Sequence, residues 1–225
     1  PTGSLYSKKE LKELSEVLLK HSNVLIMSDD IYEKIIYDNL EFSTLASIEP
    51  KLKERCLTLN GVSKAYCMTG WRLGYCGASK EIIAAMNKMQ SQSNTSTSSI
   101  SMAAAVEALE GSQEFIKDHN EAFVRRRDLV VDLLNQIDGI SCLTPEGAFY
   151  VYPSCKGIIG KETPEGNKIS NDEDFMNYLL ESEGIAGVHG AAFGLSPYFR
   201  LSYATSEKII EEACSRIERA CKALI

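Results

Sequence analysis

The residues from Gly61 to Gly74 read G-V-S-K-A-Y-C-M-T-G-W-R-L-G, with a lysine directly after a serine and an arginine further along the same run. A lysine that forms a Schiff base with a carbonyl carbon needs a pocket that keeps its amine reactive. A phosphate-bearing partner needs hydroxyl and guanidinium donors held close by. Ser63, Lys64 and Arg72 supply those three groups. Small residues at Gly61, Ser63, Gly70 and Gly74 permit close backbone approach, and Met68, Trp71 and Leu73 can wall off water. In a chain with 24 Lys and Arg, a Ser-Lys pair near an Arg is common and equally suits a solvated surface turn. The cluster gains weight only alongside other residues.

Two such constellations stand elsewhere in the chain. Asp29-Asp30-Ile31-Tyr32 follows a short apolar run, putting carboxylates at its end and a phenol just beyond. Taken alone, Asp29 or Asp30 also suits a helix N-cap, and Tyr32 a half-buried packing ring. Ser196 to Ala204 places Arg200 inside an apolar, strand-like run, where a lone arginine wants an anionic partner. That partner is either a bound carboxylate or a structural ion pair with a helix. Gly157-Ile158-Ile159-Gly160-Lys161 lacks the spacing of a phosphate loop, and His21, His119 and His189 have no metal-ligand spacing. No metal is expected.

These residues must be positioned by regular elements. Ser7-Lys8-Lys9-Glu10 is a capping box, and Leu11, Leu14, Val17 and Leu18 give the following helix one apolar stripe ending near His21. Val24 to Met27 reads as a buried parallel strand ending at Ser28-Asp29-Asp30, Cys56 to Leu59 as a second strand and Arg72 to Gly77 as a third. Polar residues at the carboxyl end of such a strand often line a ligand crevice. Lys80 to Gln90 is helical by its apolar spacing, whereas Ser91 to Ser101, almost wholly polar, reads by composition as a flexible linker. A long amphipathic helix over 113–137 could bridge two domains. Beyond it, strands near 147–152 and 199–203 and helices near 172–182 and 206–224 suggest a smaller α+β domain.

Composition narrows the partners. A net charge of −7 argues against nucleic acid or an anionic membrane, which are bound through excess Lys and Arg. The hydrophobic content of 44% is enough to fill a core. The cysteines Cys56, Cys67, Cys76, Cys142, Cys155, Cys214 and Cys221 form no C-x-x-C pair and read as reduced packing residues of a cytoplasmic protein. No apolar run approaches the ~20 residues that span a bilayer. In that setting the Asn94-Thr95-Ser96 sequon carries little weight.

Gly61 to Gly74 resembles the lysine-attachment signature of the class I pyridoxal-phosphate-dependent aminotransferases, and Asp29 to Tyr32 is similar to the same family's strand-end motif. Pro145 to Tyr150 and Gly190 to Gly194 look like further family landmarks, with His189 where the family usually has proline. Gln90 to Met102 resembles a segment near the family's dimer interface that approaches the neighbouring subunit's phosphate site, although members often carry proline at about Thr97. The resemblance, nearest to the bacterial aspartate aminotransferase branch, implies an α/β fold of fold type I. It implies pyridoxal 5'-phosphate as cofactor, amino acid and 2-oxo acid substrates, and a homodimer. It assigns Lys64 to catalysis, Asp29, Tyr32, Ser63, Lys64 and Arg72 to the cofactor, and Arg200 to the substrate carboxylate. Pro1-Thr2-Gly3 looks like the tail of the family's Asn-Pro-x-Asn-Pro-Thr-Gly motif. The resemblance therefore implies that 1–111 is the C-terminal part of the large domain and 112–225 the small domain with its bridging helix. By itself such a piece is expected to be poorly stable or inactive. Lyases and synthases on the same fold, aspartate/prephenate transamination, and a sensory domain that binds cofactor without turnover remain alternatives.

Overall fold

The computed structural model describes residues 1–225, which form two compact units: Leu5–Asp118, and His119–Ile225 together with Pro1–Ser4. In the first, the capping box that starts helix α1 (Lys8–Leu19) is complete. The Glu10 N–H donates to the Ser7 hydroxyl at 3.2 Å, and the Ser7 N–H donates to the Glu10 carboxylate at 2.8 Å. Strand β1 (Ile26–Asp29) pairs in parallel with β2 (Cys56–Gly61), which pairs antiparallel with β3 (Gly74–Gly77), giving the order β1-β2-β3.

Each outer strand starts later than the sequence reading placed it. The Arg55 guanidinium donates to the carbonyls of Leu18, His21 and Val24, the last two at 3.1 and 2.6 Å, which ties the residues after α1 into a turn. β1 consequently begins at Ile26 and makes Asp29 its last residue. Arg72 adopts a left-handed φ of 53° at the end of a 3-10 turn (Thr69–Trp71), so it precedes β3 and does not belong to it. Gly61 faces Gly74 across the β2–β3 pair. A Cβ on Gly61 would lie 3.1 Å from the Leu73 carbonyl oxygen and would push the strands apart where the lysine segment leaves the sheet.

The Ser91–Ser101 stretch is mostly helix, not a linker. Helix α3 (Lys80–Ser93) runs through its start and α4 (Ser99–Glu110) begins before its end. The Ser91 and Ser93 hydroxyls donate to the Lys88 and Gln90 carbonyls, a local bonding that accommodates serine inside a helix. Apolar burial in this unit is thin, with one cluster of Val62, Ala65, Tyr66, Leu73 and Ala105 and another of Leu11, Leu45 and Leu52. Leu14 and Val17 of the α1 stripe are exposed, and α3 has no buried residue.

The C-terminal unit is packed differently. Helix α5 (Glu114–Asn135) contributes Val130, Val131 and Leu134 to a core shared with α6 (Asp172–Glu183) and α7 (Glu207–Ala223). Completing that core are Val151 and Phe199, from a three-stranded antiparallel sheet ordered β4 (Tyr150–Val151), β6 (Phe199–Ser202), β5 (Val188–His189). Ile210, Cys214, Ile217 and Cys221 recur along one face of α7, the helical period the sequence displays. Cys142, Cys155, Cys214 and Cys221 are free and buried here, and burial pushes the thiols of Cys142, Cys155 and Cys221 up to about 12. β4 is shorter than the expected 147–152 strand because the Gly147 N–H is committed to the Gly3 carbonyl at 2.9 Å and Ala148 takes a φ of 58°. His189 holds a φ of −62°, close to the value a proline ring would impose.

Candidate active site

Lys64 sits in the turn that leaves β2. The Cys67 N–H donates to the Lys64 carbonyl at 3.1 Å, and Ala65 and Tyr66 are buried beside it. The Tyr66 hydroxyl donates to Gln113 Oε1 at 2.8 Å, while the Gln113 amide donates to the carbonyls of Ala108 at 2.9 Å and Gly111 at 2.8 Å. The lysine turn is thereby fastened to the end of α4. The Lys64 side chain is half-buried, and its Nζ lies 5.9 Å from the centre of the Tyr32 ring.

Tyr32 belongs to the turn after β1, closed by the Glu33 N–H donating to the Asp30 carbonyl and the Ile35 N–H to the Tyr32 carbonyl, each at 2.9 Å. Of the two aspartates, Asp30 is the buried one, and it accepts the Ser28 hydroxyl at 2.7 Å. Asp29 is the accessible carboxylate. It stands opposite Leu59 in the register, and its Oδ1 accepts the Ile31 N–H at 3.3 Å. Ser63 is half-buried beside Lys64. Arg72 is exposed and uses one guanidinium nitrogen to donate to the Thr69 carbonyl at 2.8 Å. Asp29, Tyr32, Ser63, Lys64 and Arg72 thus gather at one end of the sheet, formed by the carboxyl ends of the parallel strands β1 and β2 and the entry to β3. In open α/β sheets ligands bind at that end.

Arg200 lies in the C-terminal unit on β6, half-buried, with its guanidinium carbon 4.6 Å from the centre of the Tyr150 ring and 4.8 Å from that of Phe193. Sequence reasoning singled out Arg200 but neither ring beside it. Tyr150 and Phe193 belong to segments noted only as family landmarks, and no spacing in the chain links either to position 200.

A fold built on this sheet, with a lysine turn at the strand ends, defines a class. The sequence model described as aminotransferase class I and II matches residues 1–217, and the chain belongs to that family, whose members depend on pyridoxal 5'-phosphate. Among its relatives, an aspartate/prephenate aminotransferase of Cereibacter sphaeroides is 55% identical over 100% of this chain and 56% of its own length. A probable aspartate/prephenate aminotransferase of Rhizobium leguminosarum bv. phaseoli is 56% identical over 99% of this chain and 56% of its own. The crystal structure of the aspartate aminotransferase from Rhizobium meliloti superposes with a TM-score of 0.97 at 55% identity, covering 100% of this chain and 56% of that one. An aromatic aminotransferase from Pyrococcus horikoshii gives 0.89 at 34% identity, covering 99% of this chain and 57% of that one. The chain spans about half the length of the curated relatives it matches.

Proposed function

We propose that this chain carries the lysine-bearing part of an aminotransferase site that moves the amino group of aspartate, or a related amino acid, to 2-oxoglutarate. The observation that carries this reading is the Lys64 amine, half-buried and set against the Tyr32 ring at the strand ends where Asp29 is the accessible carboxylate. The donor set fits pyridoxal 5'-phosphate. Lys64 offers the amine that attaches it, Asp29 a carboxylate for its pyridine nitrogen, Tyr32 a phenol for its ring oxygen, and Ser63 and Arg72 donors for its phosphate. When bound, that group supplies an electron sink for the negative charge that develops at the substrate α-carbon.

The protein's own residues do the rest. Lys64 Nζ takes the proton from the α-carbon and returns it, acting as general base and then acid. Asp29, by its negative charge, keeps the pyridine nitrogen protonated. The planar fork of Arg200 suits a two-pronged grip on the substrate α-carboxylate. Residues 1–111 would belong to the cofactor-binding domain and 112–225 to the small domain, in a homodimer whose Gln90–Met102 segment approaches the neighbouring subunit's site.

Reductive trapping tests the lysine. In the complete protein, incubation with pyridoxal 5'-phosphate, borohydride reduction and peptide mapping should place the label on Lys64, and Lys64→Ala should remove both the label and aspartate-to-2-oxoglutarate transfer. A label spread over surface lysines, or transfer that survives the substitution, would refute the assignment. Product analysis with the same substrate pair separates transamination from lyase or synthase chemistry.

A further inference from the structure

Asp172 opens helix α6 and has no exposed surface. Its carboxylate accepts the Ser196 hydroxyl on one oxygen and the Ala191 N–H, at 2.7 Å, on the other. Those donors stand at the two ends of one tight turn, Gly190 to Ser196, whose first residues form a 3-10 helix (Gly190–Phe193). The turn is closed from within as well, by the Leu195 N–H donating to the Gly190 carbonyl at 3.1 Å and by the Tyr152 hydroxyl donating to that same carbonyl at 3.1 Å. Gly190 has no room for a side chain, since a Cβ there would lie 2.2 Å from the Leu195 carbonyl oxygen. In the middle of the turn stands Phe193, its ring centre 4.8 Å from the Arg200 guanidinium carbon. Tyr150, on the neighbouring strand, brings the second ring to 4.6 Å.

A long arginine side chain on a strand has many rotamers, and a two-pronged carboxylate grip requires one of them. Aromatic faces attract a guanidinium and restrict its plane. We propose that Asp172 is a positioning residue for Arg200: by fixing both ends of the Gly190–Ser196 turn it holds the Phe193 ring against the guanidinium, which with Tyr150 aims Arg200 before a carboxylate arrives. This rests on the carboxylate-binding role proposed for Arg200. Asp172 touches no substrate in this scheme, and Phe193 acts only through the arginine.

Arginine side-chain NMR on the complete protein tests it. In the wild type the Arg200 Nε–Hε resonance, assigned by its loss in Arg200→Gln, should be displaced upfield by the two rings and should move on titration with 2-oxoglutarate. Phe193→Leu and Ser196→Ala should each shift that resonance toward the position of solvent-exposed arginines and weaken 2-oxoglutarate binding about three- to fivefold, the loss of one partly exposed cation–ring contact. Phe193→Tyr should restore both. Phe193 is exposed enough that its replacement leaves the core intact, and Ser196→Ala keeps the Asp172 charge in place if Asp172→Asn does not fold. Phe193→Leu moves the resonance simply by removing a ring, so an unchanged resonance in Ser196→Ala overturns the positioning role. A wild type that does not bind 2-oxoglutarate, or an Arg200→Gln variant that binds it equally well, overturns the carboxylate assignment instead, and the ring-current shift then decides the positioning role alone.

Discussion

A carboxylate without exposed surface loses its hydration, and only donors supplied by the protein make that tolerable. At Asp172 burial alone would raise the pKa, but the Ser196 hydroxyl and the N–H groups of Ala191 and Gly190 outweigh it and hold the carboxyl below its ordinary value. A group whose folded pKa is depressed adds stability that is fully present above its unfolded pKa and is lost as pH falls through the folded one. Asp172→Asn should therefore cost about 2 kcal/mol at neutral pH, with the cost shrinking below about pH 4. Urea melts at pH 7 and pH 3 check this, and an equal penalty at both would deny that the charge matters. Tyr152, beside the same turn, has its phenol pushed up by burial first and by the Asp172 charge second, so it stays a neutral donor to Gly190 throughout that range.

Arg55 does for the first unit what no cap residue does, satisfying one carbonyl in the last turn of α1 and two between α1 and β1 with one guanidinium. Arg55→Ala should cost about 1–3 kcal/mol and loosen β1 against β2. Faster amide exchange at Ser28 and Asp30, with α7 unaffected, is the measurable result. The elements legible in the sequence were those whose signals are local. The Ser7–Glu10 box and the α7 stripe fixed their helices to within two residues, because capping and period act over one or two turns. Strand limits were less legible, since they depend on distant partners: Arg55 delays β1, Gly3 curtails β4, and the two residues of β5 exist only because β6 lies beside them. Composition misled at Ser91–Ser101, where serine hydroxyls fold back on helix carbonyls. The candidate residues followed the same division. Lys64, Asp29 and Tyr32 share a strand end and a motif spacing, whereas Phe193, Tyr150 and Asp172 reach Arg200 through a turn, a neighbouring strand and a helix start.

Over the whole molecule, burial is unevenly shared. The C-terminal unit has one continuous core joining three helices and a sheet, while the first has two small clusters. Leu25, Met27, Met89 and Ile100 of the first unit are between 70% and 73% exposed. Apolar area left in water stabilises nothing, so amides of β1, β3 and α3 should exchange much faster than those of α7 and the C-terminal half of α5. Uniform protection across both units would contradict this distribution. The same asymmetry is written into the thiols. In the first unit Cys56 is buried but Cys67 is exposed and Cys76 partly so, whereas all four cysteines of the C-terminal unit are buried. Under native conditions an alkylating reagent should find Cys67, three residues from Lys64, and reach Cys142, Cys155, Cys214 and Cys221 only as that core opens. The protein thus contains a native labelling position next to the proposed chemistry, and an internal clock for the opening of the unit that carries Arg200.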